Sequence, residues 1–226
     1  MQPGLRTVQG VLQDLLSRIT EEPIVVEFAG RTDAGVHAAG QVISFDTGFR
    51  HGPEPLKRAV NSLAPSDVAV LAADEVPASF HARRSARQRW YRYTVHNGRQ
   101  PRPLLDRYSY FFPHKVDVEA MNGAGAELLG THDFIAFGDV PGGRESSVRR
   151  LDEVSARRDG DMVSIDLRAT AFLKHMARSM VGLLLRAGTG AIEPAEAGRI
   201  LRERDRHKAG PVAPARGLCL MGVQYS

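Results

Sequence analysis

The 226-residue chain is 42% hydrophobic and 25% charged, close to soluble globular averages, which excludes a disordered polymer or a membrane-embedded protein. No apolar run reaches the roughly 20 residues of a spanning helix and no signal-peptide pattern opens the chain, so a cytoplasmic protein is expected. The single cysteine, Cys219, excludes an internal disulfide and a multi-cysteine zinc site, and the eight histidines are scattered, so no metal is expected. A formal net charge of +4, with 26 Arg among the 30 basic residues, permits an RNA partner through bidentate phosphate contacts and base stacking. A GC-rich coding sequence gives the same bias.

In chain order, Thr7 can cap a helix whose apolar positions, Val8, Val11, Leu12, Leu15, Leu16 and Ile19, follow helical spacing. Two strands follow, Ile24 to Ala29 and Gln41 to Asp46, then a short helix from Glu54 to Leu63 and a strand from Val68 to Ala72. Between the first two strands lies Gly30-Arg31-Thr32-Asp33-Ala34-Gly35-Val36-His37-Ala38-Ala39-Gly40-Gln41. This loop can be ordinary Asp-Ala-Gly turn chemistry, or it can be a catalytic loop in which small residues admit a polyanionic backbone beside the Asp33 carboxylate. It is neither a Walker loop, which needs Gly-Lys-Ser/Thr, nor a dinucleotide fingerprint, which needs a helix after its glycines.

Phe80-His81-Ala82-Arg83-Arg84 leads into a strand from Arg87 to His96, in which Arg87, Arg89, Tyr91, Tyr93 and Val95 share one face. That face reads equally as a nucleic-acid groove or as a sheet face with buried rings and solvated arginines. Asn97 to Pro103 reads as a connection, giving domains of residues 1–98 and 99–226. The second domain is predicted as an aromatic strand (Tyr108 to Phe112), a helix (Asp117 to Leu129), two strands (Leu151 to Arg157, Met162 to Ala169) joined at Asp159-Gly160, and a helix (Phe172 to Ala187). A short helix (Pro194 to Arg202) and a strand (Leu218 to Tyr225) complete it. This is β-α-β-β-α-β, the ferredoxin-like unit, and the first domain shows the same order without an opening strand, so the fold class is α+β. Gly138 to Ser147 reads as a mobile loop able to close over RNA. On the long helix, Met176, Met180, Leu183, Leu184 and Ala187 form an apolar stripe, while Lys174 and Arg178, four apart, can present positive charge together.

The run from Gly30 to Ala38, with Gly40-Gln41-Val42, resembles the signature of the tRNA pseudouridine synthase A family. Similar likenesses are Gly130-Thr-His-Asp-Phe-Ile-Ala-Phe137, Ala171-Phe-Leu-Lys-His-Met-Ala-Arg178, and Trp90-Tyr91-Arg92-Tyr93, where the family pattern has Arg in place of Trp90. The resemblance runs from about Leu5 to Tyr225. It implies a fold of two ferredoxin-like halves with the active-site cleft between them, and isomerisation of uridine to pseudouridine in the anticodon stem-loop of tRNA, at tRNA positions 38–40. Asp33 is then the catalytic aspartate, Arg178 its ion-pair partner, and Tyr91 the active-site tyrosine that stacks on the flipped base. Arg31, which helps move the target nucleotide, His37, Arg83, Arg89 and Lys174 are the expected RNA contacts, and His175 is read as structural.

The family further implies a homodimer in which one tRNA contacts both subunits. Its members open with a strand and a Gly-Trp-Gln segment where this chain has only Met1 to Leu5. A truncated or misassigned start, with lowered stability, is therefore expected. The reaction transfers nothing from outside, so no cofactor is expected. Asp33 can act as nucleophile or as base, and in both routes a nearby opposite charge favours the carboxylate and fixes its orientation. A glycoside hydrolase would usually need a second catalytic carboxylate, and a zinc deaminase would need paired cysteines. The rival reading is a non-catalytic ferredoxin-like RNA-binding module, which would keep the arginines and not require Asp33.

Overall fold

Thr7 starts the first helix by accepting the Gly10 amide on its side-chain oxygen at 3.1 Å, and α1 (Val8–Thr20) then turns Leu12 and Leu16 inward. The structure is a computed structural model that describes residues 6–140 and 146–225. Its contacts gather into two units, Met1–Arg31 with Val42–Ser85, and Thr32–Gln41 with Ala86–Ser226. In the first unit β1 (Glu27–Phe28) pairs antiparallel with a strand at Ile43–Ser44, and α2 (Pro53–Leu63) adds Leu56 and Val60 to a core with Leu12, Leu16, Ile24 and Val26.

Val68 to Ala72, expected as a strand, is not one. The Asn61 carboxamide of α2 donates to the Val70 carbonyl at 2.8 Å and accepts its amide at 2.7 Å, so a side chain supplies the bonds a neighbouring strand would. Val68 and Val70 still pack against that core. The expectation about the opening of the chain falls on residues 1–5, outside the described residues. So does residues 141–145 of the loop expected to be mobile.

The second unit begins with β2 (His37–Ala38), which precedes the Ile43–Ser44 strand, β3, in the chain. It continues with β4 (Gln88–His96), β5 (Tyr110–Phe111), α3 (Val118–Ala126), β6 (Gly130–Asp133), β7 (Val148–Asp159) and β8 (Met162–Ala169). Then come α4 (Met176–Gly188), α5 (Glu196–Glu203), α6 (Arg206–Ala209) and β9 (Leu218–Gln224). Among the described residues the sheet runs β2-β9-β4-β8-β7-β6, with β5 paired to the end of β4.

Within it, β4-α3-β7-β8-α4-β9 is a β-α-β-β-α-β unit whose four strands are antiparallel neighbours. Its opening strand is β4, not the aromatic segment 108–112, of which only Tyr110 and Phe111 pair, with Val95 and His96. A cut between 98 and 99 would thus sever β4 from β8 and β9, which bond it on both sides, and the compact units divide before it instead. The β7–β8 hairpin turns at Asp159-Gly160 as its sequence requires, with Asp159 opposite Met162.

The long helix starts later than its apolar spacing predicts. Lys174 lies outside α4: its carbonyl accepts the Asp139 amide at 3.0 Å, and His175 takes φ 66°, so helical geometry begins at Met176. Lys174 and Arg178 therefore do not share a helical face. Met176, Met180, Leu183 and Leu184 are fully buried in the cluster that includes Tyr93, Phe134, Phe137 and Leu167.

One residue of α4 sets the approach of the segment after α6. A Cβ on Gly182 would lie 1.9 Å from the Pro211 carbonyl oxygen, so only glycine lets this chain pass. Alanine ordinarily favours a helix interior by about 1 kcal/mol over glycine, whereas overpacking of this kind costs about 1–3 kcal/mol or more. Gly182→Ala is expected to lower the urea midpoint of the folded protein; an equal or higher midpoint would contradict the close approach.

Candidate active site

The loop that carries Asp33 is anchored at its far end by the sheet. His37 and Ala38 pair parallel with Cys219 and Leu220 of β9, and the amides of Ala39 and Gly40 both donate to the Leu220 carbonyl, at 2.8 and 3.1 Å. On its other side Leu220 is the register partner of Tyr91, so β9 is the common strand between the loop and the tyrosine. The β4–β9 register shifts at Trp90 and Tyr91, and the extra residue, Met221, turns its carbonyl to where a Cβ on Gly40 would lie 2.4 Å away. A side chain at position 40 would lift the loop off the sheet.

Asp33 does form a turn, with its backbone: its carbonyl accepts the Val36 amide at 3.0 Å. The carboxylate is left for longer-range work. Arg178, one turn into α4, places Nη1 2.9 Å from Asp33 Oδ2. The same guanidinium donates through Nε to the Ala213 carbonyl at 2.7 Å, and the Ala213 amide returns a bond to the Arg178 carbonyl at 3.1 Å. The fork is thus fixed on two sides. The Asp33 and Arg178 side chains are 27% and 17% exposed, shielded enough to hold a geometry and open enough to meet a substrate.

Tyr91 is 7% exposed, packed edge-on against Phe172 with ring centroids 5.0 Å apart. Burial pushes its phenol up to about 12, with Arg89 opposing and the Asp33 charge adding to the shift. It is a neutral phenol at ordinary pH. The face it shares with Arg89, Tyr93 and Val95 is the buried face of β4. Arg89, expected at an RNA groove, is 8% exposed and donates to the carbonyls of Ala86 and Thr170, at 3.0 and 2.6 Å. Its guanidinium is committed to backbone.

His37 donates from Nε2 to the Arg107 carbonyl at 2.8 Å and lies 4.8 Å from the ring of the exposed Tyr108. Lys174 is exposed beside the site through its backbone pairing with Asp139. Arg31 and Arg83, both exposed, belong to the first unit. Among the described residues no three His, Cys, Asp or Glu side chains gather into a set able to hold a metal ion.

The sequence reading left His175 out of the site, and the structure brings it in. Its Nε2 lies 3.5 Å from Asp33 Oδ2 and its Nδ1 3.2 Å from Asp139 Oδ2. Asp139 is paired in turn with Arg206 of α6. The Arg206 hydrogen bond, against some burial, holds the Asp139 carboxyl below the usual carboxylate range, and His175 adds to the effect. Spacing offered one clue, since His175 and Arg178 are three apart and lie on one side of a helix start. Asp139 and Arg206 carried none.

A family model described as tRNA pseudouridine synthase matches residues 1–83 and 124–226. Curated relatives named tRNA pseudouridine synthase A include one from Moorella thermoacetica, 46% identical over 97% of this chain and 89% of its own length. Another, from Roseiflexus sp. (strain RS-1), is 44% identical over 99% of this chain and 84% of its own length. A third, from Thermotoga neapolitana, is 41% identical over 99% and 92%. Matched at this identity along nearly its whole length, and carrying an aspartate held by an arginine from a distant motif, the chain belongs to the tRNA pseudouridine synthase family.

Proposed function

We propose that this protein isomerises uridine to pseudouridine in the anticodon stem-loop of tRNA, at tRNA positions 38–40, in the cytoplasm and as a homodimer. What supports the assignment of the site above all is the Asp33–Arg178 ion pair, which joins two segments 145 positions apart in a partly shielded place. The reaction breaks the bond from ribose to uracil N1, turns the base, and joins ribose to carbon 5, whose hydrogen leaves to solvent. Asp33 starts it, as a nucleophile on the ribose or as a base removing a ribose proton. Either route needs a carboxylate with one oxygen aimed at the ribose, and a guanidinium fixed at both Asp33 and Ala213 supplies that orientation. Tyr91, neutral and nearly buried, is suited to pack against the extruded base and to relay the proton that leaves carbon 5, its oxygen accepting that proton as its own hydroxyl proton passes on to solvent. Arg31, Arg83, His37 and Lys174 are the proposed RNA contacts; Arg89 instead bonds the Ala86 and Thr170 carbonyls on the buried face of β4.

The direct assay is tritium release from tRNA transcripts labelled at uracil carbon 5. The parent should release tritium, and Asp33→Asn should release it at least about 10³-fold more slowly. Equal release by the two would sink the assignment, and tRNA binding without release by the parent would favour an RNA-binding module. Arg178→Lys keeps the charge without the two-sided fork, so kcat should fall by about 10²-fold while the Kd for tRNA stays within about threefold. A loss confined to binding would mean that Arg178 serves RNA and not Asp33.

The raised Tyr91 phenol has a stability consequence with a definite sign. Unfolded tyrosine ionises near 10 and the folded group near 12, so its contribution is whole below pH 10 and is lost as pH rises from there to 12. The urea midpoint should fall across that window, and less steeply in Tyr91→Phe. The same variant tests the proton role, since full turnover with phenylalanine would remove it.

A further inference from the structure

We propose that His175 is a positioning residue of the reaction, sharing Asp33 Oδ2 with Arg178 and braced from behind by Asp139 and Arg206, so that Oδ1 is the oxygen presented to the substrate. This rests on the reading of Asp33 as the reacting carboxylate. Two side chains approach the same oxygen of Asp33, Arg178 Nη1 at 2.9 Å and His175 Nε2 at 3.5 Å. Among the described residues no ion pair or hydrogen bond engages Oδ1. The other ring nitrogen of His175 donates to Asp139 Oδ2 at 3.2 Å, and both Asp139 oxygens face the Arg206 guanidinium. The charged groups around the ring are therefore Asp33 from its loop, Asp139 from the segment after Phe137, Arg178 from α4 and Arg206 from α6.

A helix-capping role does not account for His175. It occupies the N-cap position of α4, yet its side chain makes no capping bond. It does not fill the core either, since the side chain is 27% exposed. Its φ of 66° is the left-handed conformation that glycine adopts freely and other residues only at a cost. A histidine kept there has its ring turned away from the helix end and between two carboxylates. Backbone holds the arrangement, because the Asp139 amide donates to the Lys174 carbonyl at 3.0 Å and so sets the two residues side by side. The result is a row of five side chains, Arg178, Asp33, His175, Asp139 and Arg206, in which the middle three have a partner on both sides, the condition for fixing one carboxylate rotamer.

The test uses His175→Gly, which removes the ring and relieves the left-handed backbone, so folding is preserved. The urea midpoint should hold or rise, kcat for tritium release should fall by about 10- to 100-fold, and KM and the tRNA Kd should stay within about threefold. Asp139→Asn should give a smaller kcat loss, and the double variant should be no slower than His175→Gly alone, because Asp139 acts through the ring. In the intact protein the imidazole 15N resonances of His175 should move in both Asp33→Asn and Asp139→Asn. Full turnover in His175→Gly, additive losses, or a ring signal indifferent to either carboxylate would overturn the proposal. Should the parent release no tritium, the reading of the function falls, while the ring resonances still decide whether His175 bridges the two carboxylates.

Discussion

The Asp33 carboxylate sits on a loop with almost no regular structure of its own, and its usefulness depends on the arginine that comes to meet it. Arg178 is held by the Ala213 carbonyl, Ala213 is brought to α4 across Gly182, and the Asp33 loop is pinned to β9 through Leu220 and the close approach at Gly40. Each contact is ordinary alone. Together they deliver two charges from distant parts of the chain to within 2.9 Å. In so partly shielded a place the attraction is offset by lost hydration, so the pair contributes orientation more than stability.

How far the fold could be read from the sequence follows from how local each signal is. The β7–β8 hairpin was legible because two long alternating runs flank Asp159-Gly160, and α1 because one apolar stripe follows a threonine cap. The two-residue β2 and the four-residue β6 were not, since their pairing is decided by partners far along the chain and leaves no periodicity, and the aromatic run around β5 announced a strand but not its place beside the end of β4. Alternation in β4 correctly grouped Arg89 with Tyr91, Tyr93 and Val95 but could not say which side of the sheet they face. An arginine argues for water, and here two backbone carbonyls satisfy it inside the protein.

The site divides the same way. Asp33, Tyr91 and Arg178 were singled out through motifs, and the structure gives the first and last a direct bond. His175 lay beside Arg178 in the same motif and was passed over, because nothing in a sequence announces a left-handed φ at a histidine. Asp139 and Arg206 belong to segments with no spacing relation to the motifs, so only the folded chain connects them. Signals carried by one stretch of chain are readable; signals made by convergence are not.

The departure at position 90 fits this picture. Trp90 stands where the family pattern has arginine, directly before Tyr91, and at first sight it threatens the site. Strand alternation places it on the other face of β4. There its indole nitrogen donates to Asp166 at 2.6 Å, Arg92 makes a two-pronged pair with the same carboxylate, and the guanidinium of Arg168 lies 4.6 Å from the indole ring. Charge lost at position 90 is thus replaced by ring–cation contacts with neighbours on the same face. One strand thus carries an arginine–tryptophan network on one face and, on the other, the buried tyrosine of the site, so that Trp90 and Tyr91, though adjacent in the chain, meet different neighbours.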